Sequence, residues 1–262
     1  MRPVPVLMYH HVNPHRGDTV TVTPEVFDGQ MRYLAEQGYR TLSLDELGAY
    51  LRGELALRER AVVVTFDDGW LDNYRYAFAT LARYRIKATI FVVTGRTGQC
   101  GCQEGAAAAE IPSHGAAKRL IADGDADKVV LGWELIEEMA RGGLIEFHSH
   151  TVSHRKCGEL AGEELRTEIE ESKRVMEERL GRPCRFLCWP YGSFNAEGVA
   201  LARQAGYEGV FTVRPDVVRP GTDPYAIPRI VVKDSVSWFK SRLRIYTSPF
   251  WAPLYLATRK KA

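Results

Sequence analysis

The chain has 262 residues, of which 45% are hydrophobic and 26% charged. That composition excludes a disordered, fibrous or disulfide-stapled chain and supplies enough apolar material for a full core. A formal net charge of +2 is too small for phosphate-backbone recognition, which needs a strongly basic face, so no nucleic-acid partner is expected.

In chain order, residues 4–9 form the first apolar run of strand length and lead into His10. Thr23-Pro24 then offers an N-cap and a proline at the first helical position ahead of Phe27, Met31 and Leu34. Ser43-Leu-Asp-Glu46 has the spacing of a capping box. Residues 61–66 read as a buried strand that ends on Asp67-Asp68, residues 74–84 as a helix and residues 88–93 as another strand. Residues 97–130 break the rhythm with Gly-Gln-Cys-Gly-Cys, a four-alanine run and Asp-Gly-Asp-Ala-Asp, which predicts an inserted lid or loop segment. Helical periodicity over 133–141, 163–180 and 197–205 alternates with apolar runs at 144–147, 185–189, 209–213 and 226–232. Gly38, Gly142, Gly181 and Gly206 stand where helix C-caps belong.

Strand and helix thus alternate about seven times, and the strands lack strict polar alternation. Both features point to an α/β fold whose parallel sheet is covered on each face. The polar residues of interest follow strands: His10, Asp67-Asp68, His148 with His150, and Pro190-Tyr191. Parallel α/β barrels place their active sites at that end, so a single-domain (β/α)7-type barrel is predicted over residues 1–234. Residues 235–262 contain six Lys and Arg and no acid. Subtracting them from the net +2 leaves −4 on residues 1–234, so the tail is a region of different character.

Asp67 and Asp68 together at a strand end would repel and be poorly solvated, which calls for a cation or a shared proton. Taken alone, the pair also fits an Asx turn. His148, His150 and His154 supply three imidazoles within seven residues. At four-residue spacing His150 and His154 can point the same way on one helical turn, and with Asp68 they make a set of two histidines and one carboxylate that leaves coordination positions open.

The segments Thr65-Phe-Asp-Asp-Gly69, Ser149-His-Thr-Val-Ser-His154 and Trp189-Pro-Tyr-Gly192, in this order and spacing, closely resemble the polysaccharide deacetylases of carbohydrate esterase family four, over residues 4–232. The resemblance implies a distorted (β/α) barrel, Asp67 as general base, and Asp68, His150 and His154 as ligands of a divalent metal, Zn²⁺ first, with Co, Ni or Fe as substitutes. Two departures stand out. Cys188 occupies the place of the arginine that begins the family's third motif, and Arg229, in Ile227-Pro-Arg-Ile230, is the substitute. The Leu-x-His motif expected after Tyr191 is absent. Instead Val6-Leu-Met-Tyr-His10, with Phe27-x-x-Gln30-x-x-Tyr33-Leu34-x-x-x-Gly38-Tyr39, is similar to the circularly permuted branch that includes the poly-N-acetylglucosamine deacetylases. This makes His10 the acid, with His11 turned the other way. Tyr191 would offer its backbone N–H to the oxyanion, and Trp189, Pro190, Tyr191 and His148 are the substrate-binding candidates.

The expected activity is therefore metal-dependent removal of the N-acetyl group from an amino sugar of a glycan. O-acetyl esters or cyclic amides on the same barrel, or silent glycan binding, are the alternatives. The five cysteines, odd in number and irregularly spaced, predict a reducing compartment, and the N-terminus lacks a signal-like apolar core, so a cytoplasmic location is expected. Cys100 and Cys102, near His114, are expected as surface thiols. The basic and aromatic tail reads either as a terminal helix that docks its apolar side on the barrel or as a contact for an anionic membrane surface. The second reading would place the protein at the inner face of the membrane and favour a lipid-linked or lipopolysaccharide sugar as substrate.

Overall fold

The computed structural model describes residues 1–98 and 110–259. In chain order, β1 (Val6–Tyr9), β2 (His11–Val12) and β3 (Thr21–Val22) precede α1 (Pro24–Glu36), β4 (Arg40–Thr41), α2 (Leu44–Leu51) and β5 (Ala61–Phe66). A π-helical stretch, Asn73–Phe78, runs into α3 (Ala79–Tyr84). Next come β6 (Ala88–Val92), α4 (His114–Ala122), α5 (Trp133–Arg141), β7 (Ile145–Ser149), α6 (Gly162–Leu180), β8 (Phe186–Cys188), α7 (Ala196–Gln204), β9 (Gly209–Phe211) and β10 (Ile230–Val231). The helices α8 (Val236–Tyr246) and α9 (Trp251–Arg259) follow.

The main sheet is parallel throughout, in the order β10-β1-β5-β6-β7-β8-β9, with β4 added beside β5. Its two edges are drawn together by one segment. Ile227 bridges in parallel to Phe211 of β9, and Ile230 and Val231 pair with Leu7 and Met8 of β1. The result is a distorted single-domain barrel with an irregular seam.

Alternation along the strands sorts the side chains. On β5, Val62, Val64 and Phe66 face outward into the cluster beneath the helices. Ala61 and Val63 face inward with Val4, Val6, Phe91, Phe186, Phe211 and Ile227. Leu44, Leu47, Tyr50 and Leu51 of α2 join that inner cluster and plug the barrel at the N-terminal ends of the strands. Fully burying an aliphatic or aromatic side chain of this size contributes about 1.5–3 kcal/mol, and the candidate site residues gather at the opposite end.

The glycine stops hold at Gly38, Gly181 and Gly206, all at positive φ. After α5, however, Gly143 takes the left-handed conformation (φ +68°) while Gly142 stays at −73°. Within the irregular stretch, α4 docks beside the barrel, where Ala117, Val129 and Val130 pack against Trp70. Cys100 and Cys102 lie outside the described residues.

The tail packs on the barrel wall. Phe239, Leu243 and Tyr246 of α8 are buried, and Val236 sits so close to Gly29 of α1 that a Cβ there would lie 2.9 Å from its Cγ2. Helix α9 returns alongside α8, with Tyr255 meeting Tyr246 and the Arg242 guanidinium, and leaves Phe250, Trp251 and Leu254 exposed. The turn between the two helices shares a groove with Arg2 and Arg60, at the N-terminal ends of β1 and β5. No described helix is long and apolar enough to cross a membrane.

The capping box of α2 is present, with Glu46 accepting from Ser43 N–H (2.9 Å) and pairing with Arg40 (2.6 Å) and Lys87 (2.9 Å). Burial opposes its ionisation, but the bonds from Lys87, Arg40 and Ser43 outweigh that and hold the carboxyl at about 2, against an ordinary 4.5. A carboxyl whose pKa falls on folding stabilises above its unfolded value and loses that contribution as pH drops through the folded one. Glu46→Gln is thus expected to cost about 1 kcal/mol at pH 7. In urea titrations the gap from the parent protein should close between pH 4.5 and about 2.

Candidate active site

The C-terminal ends of β1, β5 and β7, together with the loops after β7 and β8, surround a cavity of about 380 Å³ lined by His10, Asp67, Asp68, His150, His154 and Tyr191 among others. At its base lies a buried ion pair. Arg229 donates Nη1 to Asp67 Oδ1 (2.6 Å) and Nη2 to Asp67 Oδ2 (2.7 Å), and the two residues are 0% and 2% exposed. The remaining donors of the guanidinium go to Thr212 O (3.0 Å), Thr65 Oγ1 (3.3 Å) and Cys188 Sγ (3.0 Å). Burial pushes the Asp67 carboxyl up, but the charge and hydrogen bonds of Arg229 prevail and hold it below the ordinary carboxylate value. Burial raises the Cys188 thiol, which stays protonated.

Three electron-pair donors converge above this pair. Asp68 Oδ1 lies 2.9 Å from His154 Nε2 and 3.5 Å from His150 Nε2, and Trp70 Nε1 donates to the other oxygen, Oδ2 (3.0 Å). His150 Nδ1 lies 2.7 Å from the Cys188 carbonyl. It must donate there, and against the effect of burial the nearby Cys188, Asp68 and Asp67 raise the pKa of the ring; a cation that displaces the second proton would meet Nε2 as a lone pair facing the carboxylate. Asp68 Oδ1 is buried without a well-aligned hydrogen-bond donor. An orphaned carboxylate oxygen between two imidazole nitrogens, all within 4.8 Å of one another, is the arrangement that a divalent cation satisfies. The overlapping group of Asp67, His150 and Cys188 does not fit, because burial keeps the thiol protonated.

The two histidines do not meet on a helical turn. His150 follows β7 directly, and the chain then folds back through Thr151 (φ +66°) to His154 (φ +64°). The loop is held by Glu168 of α6, a buried carboxylate that accepts from Val152 N (3.0 Å), Ser153 N (2.9 Å) and the Ser153 hydroxyl. Glu168 sits on the buried stripe of α6 with Leu165, Ile169, Ser172 and Met176. An acid on an apolar stripe was the available signal, and it was missed. Trp70 was missed as well.

His10 lines the cavity with Nε2 3.8 Å from Asp67 Oδ2. Burial lowers its pKa despite the pull of Asp67 and Asp68. His11 turns away and bonds Asp72 (2.6 Å). Tyr191, at φ +58°, stands at the mouth, 58% exposed, with its ring edge-on to His154. The other substrate-binding candidates are corrected. Trp189 is fully buried in the outer core and stacks on Phe194; Pro190 is buried too, and neither lines the cavity. His148 does face into the barrel, but lower down, packed edge-on to Phe186, and burial together with Arg182, Lys173 and Arg185 pushes its pKa down to about 3.

The sequence profile of the polysaccharide deacetylases matches residues 55–210. The chain is 28% identical over 234 residues to YxkH of Bacillus subtilis, covering 89% of this chain and 73% of that protein. It is 23% identical over 222 residues to the poly-beta-1,6-N-acetyl-D-glucosamine N-deacetylase of Staphylococcus aureus, covering 82% and 68%. The solved structure of the Streptococcus pyogenes deacetylase PplD in complex with acetate superposes with a TM-score of 0.77 at 24% identity, over 94% of this chain and 99% of that one, and so shares the fold.

Removing one partner of a buried ion pair leaves an uncompensated charge. Arg229→Met is therefore expected to cost about 3–5 kcal/mol in urea unfolding, whereas the double variant Asp67→Leu/Arg229→Met recovers most of that loss.

Proposed function

Because this chain belongs to the polysaccharide deacetylase family, we propose that it is a metal-dependent hydrolase that removes the N-acetyl group from an amino sugar of a glycan. The carrying observation is the convergence of Asp68 Oδ1, His150 Nε2 and His154 Nε2 beside an ionised Asp67. The donor set of one carboxylate and two imidazoles suits Zn²⁺, with Co, Ni or Fe as substitutes. When bound, such a cation supplies the Lewis acidity that polarises the acetyl carbonyl and acidifies a water.

The protein groups divide the remaining work. Each Asp67 oxygen keeps a lone pair after its bond from Arg229, so the carboxylate can take a proton from the attacking water while the guanidinium fixes its plane. The water oxygen joins the acetyl carbon, and the Tyr191 backbone N–H is the donor assigned to the resulting oxyanion, a contribution of about 3 kcal/mol. The C–N bond then breaks as the nitrogen receives the water-derived proton by way of His10, neutral at rest because burial lowers its pKa. The remaining hydroxyl proton follows to the amine, leaving acetate and an ammonium sugar.

An ester leaves as an alkoxide of much lower basicity than an amide nitrogen and has less need of such a proton donor, so His10 favours the amide reading over O-acetyl cleavage. The Staphylococcus aureus relative makes β-1,6-linked N-acetylglucosamine the substrate to try first. The exposed aromatics of the tail sit at the far end of the barrel from the cavity, so they give no reason to prefer a lipid-linked sugar over a polymer.

The test is acetate release from β-1,6-linked N-acetylglucosamine oligomers by the zinc-loaded protein. Asp67→Asn should keep its metal and lose turnover. His10→Ala should lower kcat by roughly 10²–10⁴-fold with metal content unchanged in elemental analysis, and Asp68→Ala should lose the metal itself. Full activity in either of the first two variants removes that residue from the mechanism.

A further inference from the structure

A second hydrogen-bonded chain of side chains reaches the same cavity from another wall. Asp72, 2% exposed, accepts at Oδ2 from His11 Nδ1 (2.6 Å) and Asn13 Nδ2 (2.8 Å), and at Oδ1 from Asn73 Nδ2 (2.9 Å) and Val12 N (3.4 Å). His11, 1% exposed, is stacked on Trp70 with ring centroids 4.2 Å apart, which fixes the plane of its ring. Its Nε2 lies 3.0 Å from Nδ1 of His114, the first residue of α4, and His114 lines the cavity.

The direction of this chain follows from its buried end. A carboxylate only accepts, so His11 Nδ1 carries a proton, and a ring holding only that proton has its lone pair at Nε2. A lone pair 3.0 Å from His114 Nδ1 requires the proton to sit on His114 Nδ1. The remaining nitrogen, His114 Nε2, is then a pure acceptor on the cavity wall, with no hydrogen-bond partner among the described residues. Burial lowers the pKa of His114 and so favours its neutral ring. Sugars are rich in hydroxyl donors, and a fixed acceptor discriminates among them.

We propose that His114 Nε2 accepts a hydrogen bond from one hydroxyl of the bound amino sugar, with His11 and Asp72 as positioning residues that fix its tautomer. The inference rests on the deacetylase reading for its substrate class. Its core, the tautomer and the acceptor role, has a readout that needs no turnover.

In ¹⁵N-resolved NMR of the wild-type protein, His114 should appear as the Nδ1–H tautomer. Adding β-1,6-linked N-acetylglucosamine oligomers to the metal-loaded Asp67→Asn protein should shift its Nε2 resonance. An Nε2–H tautomer, or a resonance unmoved at saturating oligomer, overturns the proposal. In turnover, His114→Leu should raise KM about tenfold and leave kcat within about threefold. His114→Gln, whose amide oxygen reaches the place of Nε2, should restore most of the affinity. Against a panel of monodeoxy oligomers, the His114→Leu penalty should vanish for one of them. An unchanged KM throughout overturns the assignment. If the wild-type protein releases no acetate from any N-acetylated sugar, the proposed function fails, and the NMR arm still decides the role of His114.

Discussion

The bidentate contact between Arg229 and Asp67 joins the start of the barrel to its end. Asp67 directly follows β5, in the first half of the chain, while Arg229 belongs to the segment that bridges β9 to β1. A carboxylate sealed at 2% exposure would take up a proton without a partner. With one, it stays ionised beside the cavity and ties the seam of the sheet shut. The same guanidinium bonds Thr212 O and Thr65 Oγ1 and lies over the Phe91 ring, so its position is fixed from several sides. Ionisation of the inner carboxylate thus depends on one contact, made from the same segment whose pairing closes the barrel.

Around that contact the backbone is held in conformations that side-chain-bearing residues rarely adopt. Among the described residues, five other than glycine have positive φ; of these, Asp68, His154 and Tyr191 line the cavity and Thr151 lies in the loop between its two histidines. Such conformations cost on the order of 1–3 kcal/mol each and persist only where the surroundings determine them. Glu168 does so for the histidine loop and Trp70 for Asp68. Gly192 allows the turn after Tyr191 to press against Val213, whose Cγ2 would lie 2.5 Å from a Cβ at that position.

Most of the architecture was legible because burial and capping leave local marks. The apolar run of β5, the Ser43 capping box and the glycine stops can each be read without knowing the fold. Arg229 was reachable from sequence only because Cys188 stood where an arginine was expected and a buried base still needed a partner. The errors share a physical origin. Trp189 and Pro190 flank an exposed tyrosine, and nothing local tells which neighbour of Tyr191 turns inward. His148 has the strand parity of His150 but sits one layer lower, a matter of depth that alternation does not encode. The helical pairing assumed for His150 and His154 failed because spacing fixes proximity and leaves the path open. The relay from Asp72 to His114 spans residues more than forty apart, and only the docking of α4 brings its end to the cavity.

The placement of the last two helices gives the molecule two poles. Phe250 and Trp251 stand beside the strand beginnings, and the mouth opens where the strands end. A bilayer that took up those rings would hold the opening turned outward, so glycan threads approaching from the surrounding water would meet the catalytic rim, and headgroups of the anchoring leaflet would not.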